Sequence, residues 1–266
     1  MAISPAVMGI VNVTPDSFFA DSRTASTESA VARGRELFEL GCDIVDVGGE
    51  STRPGASPVA LDEELARVVP VVRALAAWGP VSIDTQKAQV ARAAVAAGAQ
   101  VINDVSCSLV ELAGELGVGY VAMHRLHPTI TPGETPHYDD VVAEVLAFLR
   151  AAAARARAAD VAQLWLDPGI GFNKTRAHNL SLLAHLDRFV ALGRESGAGV
   201  LVGTSRKRFL GELGRDMLGV EQRLEGSIAS EAWAMASGVS MVRVHDARAA
   251  VQLRELFTRP VVQVAA

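Results

Sequence analysis

Residues 80–105 read PVSIDTQKAQVARAAVAAGAQVINDV and contain one complete strand–helix–strand unit. The apolar runs Val81–Ile83 and Gln100–Ile102 are short and bounded by turn signals, which is typical of strands buried on both faces. Between them, Lys87–Ala97 has the length and the alanine content of a helix. The unit therefore predicts two parallel strands joined by a helical crossover.

The same alternation runs along the chain. Six further strands are predicted at Val7–Val13, Ile44–Val47, Gly119–Ala122, Gln163–Leu166, Gly199–Val202 and Met241–Val244. The other helices are predicted at Glu28–Leu40, Leu61–Trp78, Leu109–Leu116, Asp140–Ala158, His178–Leu192, Glu225–Ser237 and Ala247–Phe257. Eight repeats predict an α/β protein in which residues 1–266 form a single (β/α)8 TIM barrel domain. A doubly wound open sheet is the alternative, but the first strand lacks the Gly-x-Gly turn typical of that fold.

Composition narrows the classes of function. The 266 residues are 50% hydrophobic and 21% charged, which excludes a disordered chain. The net charge of −5, the absence of a basic block and the 5% aromatic content argue against a nucleic-acid partner. The two cysteines form no Cys-x-x-Cys pair and predict reduced thiols. Since neither a targeting segment nor a long apolar run is evident, we expect a cytoplasmic protein without a membrane partner.

Polar residues stand at the predicted carboxyl ends of the strands, where barrel enzymes place their chemistry. They include Asn12, Asp46, Asp84, Asn103, Asp167, Arg243 and His245. For any single position, a helix cap is the simpler explanation. As a group, the carboxylates and the amide predict a ligand rich in N–H donors, such as a heterocycle with an amino-amide edge.

Cationic residues predict an anion site beside these acids. Arg53, Arg243 and His245 can face an anion, and Gly203–Ser205 offers backbone N–H groups ahead of a helix. The alternative for Arg243 is an ion pair with a buried aspartate. The sequence shows no nucleophile with a base at a telling spacing, so we expect group transfer through positioning and electrostatic stabilisation. The scarce lysines, Lys87, Lys174 and Lys207, also stand out.

Seven segments resemble the motifs of the dihydropteroate synthase family, in order and with matching spacing. They are Asn12–Phe18, Asp46–Gly55, Ser82–Thr85, Ile102–Val105, Asp167–Phe172, Ser205–Lys207 and Arg243–His245. The resemblance spans nearly the whole chain. It implies a barrel that condenses 6-hydroxymethyl-7,8-dihydropterin pyrophosphate with p-aminobenzoate to 7,8-dihydropteroate and pyrophosphate in folate biosynthesis. It also implies Mg²⁺ as the cofactor and a homodimer.

The resemblance further implies a role for individual residues. It implies that the pterin is bound by Asp84, Asn103, Met123, Asp167, Phe172, Gly203 and Lys207. It implies that pyrophosphate is bound by Asn12, Arg53, Arg243 and His245, and that Asn12 also binds Mg²⁺. Phe18, Thr52, Arg53, Pro54, Lys207 and Arg208 would border p-aminobenzoate.

The loops depart from the family pattern at several points. Ala20 stands where an aspartate near Mg²⁺ is expected, and Asp21, one residue later, is the alternative ligand. Cys107 replaces a common glycine and is strained there if the position needs a positive φ. Arg208 stands where some members have a serine, and it either pairs with the p-aminobenzoate carboxylate or points to solvent.

Two other functions are compatible with the sequence. The loop departures allow a catalytically weak, synthase-like paralogue that acts as a pterin-binding or regulatory protein. A pterin-dependent methyltransferase domain shares the barrel and the acidic pocket, but it typically lacks Arg53-Pro54 and Ser205–Lys207, which are present here. Condensation with p-aminobenzoate distinguishes the synthase from both.

Overall fold

The computed structural model describes residues 4–13, 23–51, 57–127 and 135–258, with the side chains of 23–26 and 258 left aside. Eight parallel strands close into a barrel in chain order. They are β1 (Ala6–Asn12), β2 (Ile44–Gly48), β3 (Val81–Asp84), β4 (Val101–Asp104), β5 (Gly119–Met123), β6 (Leu164–Asp167), β7 (Gly199–Val202) and β8 (Met241–Val244). The predicted (β/α)8 barrel is confirmed.

The helices alternate with these strands. They are α1 (Arg23–Glu39), α2 (Leu61–Leu75), α3 (Ala88–Ala96), α4 (Val110–Glu115), α5 (Val141–Ala158), α6 (Arg176–Ala184), α7 (Leu186–Ser196), α8 (Arg208–Gly211), α9 (Leu224–Ala236) and α10 (Ala247–Thr258), with a 3-10 helix at Val220–Arg223. Within these ranges, none of the helices combines the length and the apolar character that a membrane span requires.

One predicted helix is wrong. The segment predicted as His178–Leu192 is two helices, α6 and α7, which meet at His185. The break occurs because His185 adopts φ −117° and ψ 28°, outside the helical region. A side-chain capping box between Thr175 and His178 begins α6.

Side chains of each strand alternate between two apolar regions. Outward-facing residues such as Val7, Val45 and Tyr120 pack with the surrounding helices in one large cluster. Inside the barrel, a separate cluster fills the amino-terminal half, and we call it the floor layer. Its members are Met8, Ile44, Val101, Val121, Trp165, Leu201 and Met241. The barrel is therefore closed below by packed side chains rather than open as a pore.

The loop after β4 shows how a buried acid organises a turn. Asp104 is fully buried and accepts hydrogen bonds from the backbone of Ser108 and Leu109 and from the Tyr120 hydroxyl (2.8, 2.9 and 2.8 Å). Cys107 in this loop has a φ of +53°. The position therefore has the positive φ at which we expect a non-glycine residue such as Cys107 to be strained.

Candidate active site

The buried polar layer lies directly above the floor layer. Because side chains alternate, the residue two positions further along a strand again points into the barrel. Four of these positions hold polar side chains, Asp46, Asn103, Asp167 and Arg243. Asp84 follows the buried Ser82 by two residues on β3 and is the register partner of Asn103. We call these five residues the mouth layer. Register pairs Gly48 with Asp84 and Asp84 with Asn103, so the strand ends lie side by side at one rim.

Arg243 neutralises two of the acids. Its Nε lies 2.6 Å from Asp46 Oδ2, and its Nη2 lies 2.8 Å from Asp84 Oδ2. Burial works to lower the pKa of Arg243, but Asp46 and Asp84 together raise it above its ordinary value. Of the two roles predicted for Arg243, the structure shows the alternative one, an ion pair with buried aspartates, and not a side chain directed to an anion.

Asp46 joins the two halves of the mouth layer. Its Oδ2 also accepts a hydrogen bond from Asn103 Nδ2 at 2.9 Å. Its Oδ1 is buried and has no hydrogen-bond partner among the described residues. The sequence prediction placed Asp46 at a strand end but did not assign it to the site. Its position two residues after Ile44 is the signal that identifies it.

Asp84 carries an unusual proton affinity. Burial raises its pKa to about 7, with Arg243 opposing the shift and the neighbouring acids Asp46, Asp104 and Glu64 adding to it. The carboxyl therefore titrates near neutral pH. A ligand that donates N–H groups to Asp84 would favour the ionised form.

Asp167 and Lys207 form the opposite part of the site. Burial raises the pKa of Asp167, and Asp167 Oδ1 accepts a hydrogen bond from the Gly169 amide at 2.7 Å. Burial also lowers the pKa of Lys207 to about 8, although Asp167 opposes that shift. The Lys207 ammonium donates to the Ile170 carbonyl and lies 4.7 Å from the centre of the Phe172 ring.

Gly171 makes room for Lys207, whereas a Cβ on Gly203 would make only ordinary van der Waals contacts. Gly171 has a φ of +86°, and a Cβ there would lie 2.8 Å from Lys207 Cδ. A Cβ on Gly203 would lie 3.6 Å from Arg243 Cβ and 3.9 Å from Lys207 Nζ. Met123 is buried at the end of β5 and is the register partner of Asp167. The predicted pterin residues are thus brought to one end of the barrel.

The described residues that are predicted to bind the anion lie at the ends of β1, β7 and β8. Asn12 ends β1, and the His245 amide after β8 donates to Ser205 Oγ at 3.2 Å. The His245 carbonyl accepts from Arg33 Nη2 at 3.0 Å. Arg206 lies in the same region with a φ of +57° and forms an ion pair with Asp246.

One residue predicted to border p-aminobenzoate, Arg208, does not join this group. The Arg208 side chain is 79% exposed and pairs with Glu212 at 3.0 Å, on the surface of α8. Five further residues, predicted to bind p-aminobenzoate, pyrophosphate or the metal ion, lie outside the described residues: Phe18, Asp21, Thr52, Arg53 and Pro54.

The barrel and its polar mouth define a pterin binding enzyme, and the model of that family matches residues 8–245. A dihydropteroate synthase of Mycobacterium leprae is 45% identical over 94% of this chain and 92% of its own length. The chain belongs to the dihydropteroate synthase family.

Solved structures give the same result. A Xanthomonas albilineans dihydropteroate synthase with 4-aminobenzoic acid has a TM-score of 0.85 at 47% identity, covering 96% of this chain and 94% of its own. The enzyme of the same organism in complex with 7,8-dihydropteroate has a TM-score of 0.83 at 43% identity, covering 98% and 96%. The similarity therefore extends over the whole barrel.

Proposed function

We propose that the mouth layer is the pterin site of the dihydropteroate synthase reaction. The chain is a transferase that condenses 6-hydroxymethyl-7,8-dihydropterin pyrophosphate with p-aminobenzoate, giving 7,8-dihydropteroate and pyrophosphate in folate biosynthesis. The observation that carries the site is the burial of two carboxylates and an amide, Asp84, Asp167 and Asn103, at one end of the barrel. Their oxygens match the amino-amide edge of a pterin, which presents several N–H donors.

The reaction needs no protein nucleophile. The bond between the pterin methylene carbon and the pyrophosphate oxygen breaks, and its electron pair leaves with pyrophosphate. The electron-rich pterin ring stabilises the resulting cation, and buried carboxylates such as Asp84 and Asp167 add electrostatic stabilisation in a water-poor site. The aniline nitrogen then bonds to the carbon and loses a proton. The protein contributes position and charge.

We place the pyrophosphate at the ends of β1, β7 and β8. Asn12 and His245 are at this rim, and Arg53 is assigned there by its motif. Arg243 acts by holding Asp46 and Asp84 in place, because both of its ion pairs are directed to these acids. Barrels commonly bind phosphate after their seventh and eighth strands.

The oxygen atoms that the residues of this rim can offer are suitable ligands for Mg²⁺. The described residues contain no group of three or more His, Cys, Asp or Glu side chains that could hold a metal ion. Mg²⁺ is usually bound through phosphate oxygens and waters plus one or two protein oxygens, which the Asn12 amide can supply, with Asp21 as a second candidate. When bound, the ion neutralises charge on the leaving pyrophosphate. If Asp21 is a ligand, D21A will raise the Mg²⁺ concentration needed for half-maximal rate; an unchanged requirement removes Asp21.

The p-aminobenzoate site is proposed on the outer side of Lys207. Phe18, Thr52, Arg53 and Pro54 are assigned there by their motifs alone. Arg208 must leave Glu212 to reach a carboxylate, so R208A tests it: a raised KM for p-aminobenzoate supports the role, and an unchanged KM removes it.

We further propose that the chain forms a homodimer through an apolar surface. Leu180 of α6 (40% exposed), Met217 (54%) and Trp233 of α9 (56%) leave large side chains in solvent. The helices α6 and α9, which carry Leu180 and Trp233, are connected, because Trp233 Nε1 donates to the Leu183 carbonyl. Sedimentation of the wild type and of W233E tests this, since a dimer that uses the surface will dissociate in the variant. The cytoplasmic location stays a prediction from composition.

The test of the site is condensation by the wild type and by Asp84→Asn. We expect dihydropteroate and pyrophosphate to form only when both substrates are present. Because Asn presents a donor where the pterin needs an acceptor, D84N should lower kcat/KM at least about 100-fold. Tight pterin binding without condensation in the wild type would instead identify the pterin-binding paralogue. Unchanged kinetics in D84N would remove the mouth layer from the pterin site.

A further inference from the structure

A second network of polar groups, which is partly buried, lies beside the mouth layer and is centred on Lys174, in the loop between β6 and α6. The Lys174 ammonium is within hydrogen-bond distance of four acceptors. They are the carbonyl oxygens of Gly169 (2.9 Å), Phe172 (3.0 Å) and His124 (3.3 Å) and the Nδ1 atom of His124 (3.0 Å). Lys174 thus connects its own loop to the end of β5.

The two loops meet at a very short backbone approach. Gly169 has a φ of +67°, and a Cβ there would lie 1.8 Å from the His124 carbonyl oxygen. Carbonyl oxygens from both loops therefore converge on Lys174. Without a donor, such buried acceptors cost free energy and repel one another.

The His124 ring is held as an acceptor for Lys174. Burial, with a further contribution from Lys174, lowers the pKa of His124 to about 3, so the ring is neutral and Nδ1 can accept a hydrogen bond. The ring packs edge-on against Phe148, with centroids 4.9 Å apart. Tyr138 contacts the same ring at 6.1 Å, and its hydroxyl donates to the Asn173 carbonyl. This packing leaves the ring little freedom.

The loop that Lys174 holds carries several pocket contacts. The Gly169 amide bonds Asp167, the Ile170 carbonyl accepts from Lys207, and the Phe172 ring lies under the Lys207 ammonium. Two of the carbonyls bound by Lys174 belong to Gly169 and Phe172 themselves. A shift of this backbone would therefore move Asp167 and Phe172 together.

We propose that Lys174 is a positioning residue for the pterin. It does not contact substrate in this role, but it fixes the loop that aims Asp167 and Phe172 into the pocket. His124 is its partner on the other loop. This role rests on the proposed pterin site. It means that the affinity of that site for the pterin depends on Lys174.

The experiment compares Lys174→Met with Arg176→Met. Both replace a long cation by methionine in the same segment, but Arg176 bonds only the Glu212 carbonyl in the contacts that the structure describes, at an exposed position. The dissociation constant of 6-hydroxymethyl-7,8-dihydropterin pyrophosphate is measured by titration calorimetry without p-aminobenzoate. We expect K174M to raise it at least about 10-fold and R176M to leave it within about 2-fold.

A second readout separates positioning from a general loss of structure. At saturating pterin pyrophosphate, we expect the KM for p-aminobenzoate in K174M to stay within about 3-fold of the wild type. A folded K174M with an unchanged pterin dissociation constant overturns the inference while leaving the proposed function intact. A wild type that binds no pterin overturns both.

A second pair of variants covers the case in which K174M does not fold. His124→Asn keeps an acceptor near the position of Nδ1, whereas His124→Leu removes it, and both retain Lys174. We expect pterin affinity to fall in H124L and to be largely restored in H124N. Equal dissociation constants in the two variants overturn the inference.

Discussion

The floor layer and the mouth layer share β2, β4, β6 and β8, where their members lie two residues apart, and yet the two layers differ in chemistry. Trp165 and Asp167 of β6 are 7% and 6% exposed, and Met241 is followed two residues later by Arg243. Burial alone therefore does not distinguish a packing position from a binding position. The difference is the free energy of burial, which is favourable for the floor and unfavourable for unpaired charges in the mouth.

The mouth layer is held by pairing. Arg243 compensates Asp46 and Asp84, whereas Asp167 is compensated by Lys207 and the Gly169 amide. An apolar mouth would be simpler to stabilise, because the buried charges must offset their desolvation. The floor layer stabilises the barrel, and this stabilisation offsets the free-energy cost of burying the charged groups of the mouth layer.

Of the variants that test the difference between the two layers, Arg243→Met should cause the largest loss of stability. It leaves Asp46 and Asp84 buried without their cation, so we expect a loss of about 3–5 kcal/mol in the free energy of unfolding at pH 8. Denaturant unfolding measures the loss. Stability within about 1 kcal/mol of the wild type would show that these ion pairs do not hold the mouth. The loss should shrink at pH 5, because burial raises the pKa of Asp84 to about 7 and a protonated Asp84 needs no cation.

Trp165→Leu should affect the floor and spare the mouth. The smaller side chain leaves a cavity inside the barrel, and we expect the protein to lose about 2–3 kcal/mol of stability. KM for both substrates should remain within about 3-fold of the wild type, because the floor layer does not reach the site. Steady-state kinetics on the folded variant check this. A large rise in KM for the pterin substrate would show that the two layers are mechanically coupled.

The smallest expected effect, taken per pH unit, is a pH dependence of stability that arises in the mouth layer. Asp84 has a pKa of about 7 in the folded chain, above the ordinary value of 3.8, so the folded state binds the extra proton between these values. Its contribution to stability is complete at low pH and is lost as the pH rises through 7, with a slope of at most about 1.4 kcal/mol per pH unit.

Unfolding of wild type and D84N at pH 5, 6, 7 and 8 measures that slope. We expect D84N to gain stability relative to the wild type as the pH rises, because Asn cannot ionise. W165L should follow the wild type in parallel, since it changes no titratable group. A constant difference between D84N and wild type across this range would contradict the raised pKa of Asp84.

Much of the candidate site was predictable from strand ends. Asp84, Asn103 and Asp167 are polar residues that end apolar strands, and closure of the barrel brings such ends to one rim. Sequence spacing leaves the role of Arg243 open between an anion and a buried acid, because it does not show which side chain the arginine meets. In the sequence, Lys174 stands out only as one of few lysines, because its partners come from two loops that are 50 residues apart.

The helix break at His185 was not predictable by the same means. His178–Leu192 carries an amphipathic pattern compatible with one helix, and the sequence has no proline or glycine where α6 and α7 meet. The short helix α8 was also missed, because four residues are too few for a periodic signal.

By itself, the sequence determined the barrel, the order of its elements and the family, because hydrophobic periodicity and motif spacing are local properties of the chain. Only the tertiary structure decided how the charges are paired. It directs Arg243 to Asp46 and Asp84, leaves Arg208 on the surface with Glu212, and places Lys174 between two loops. Such pairings depend on distances across a closed barrel, and the free energy of a buried charge is set by neighbours that are remote in sequence.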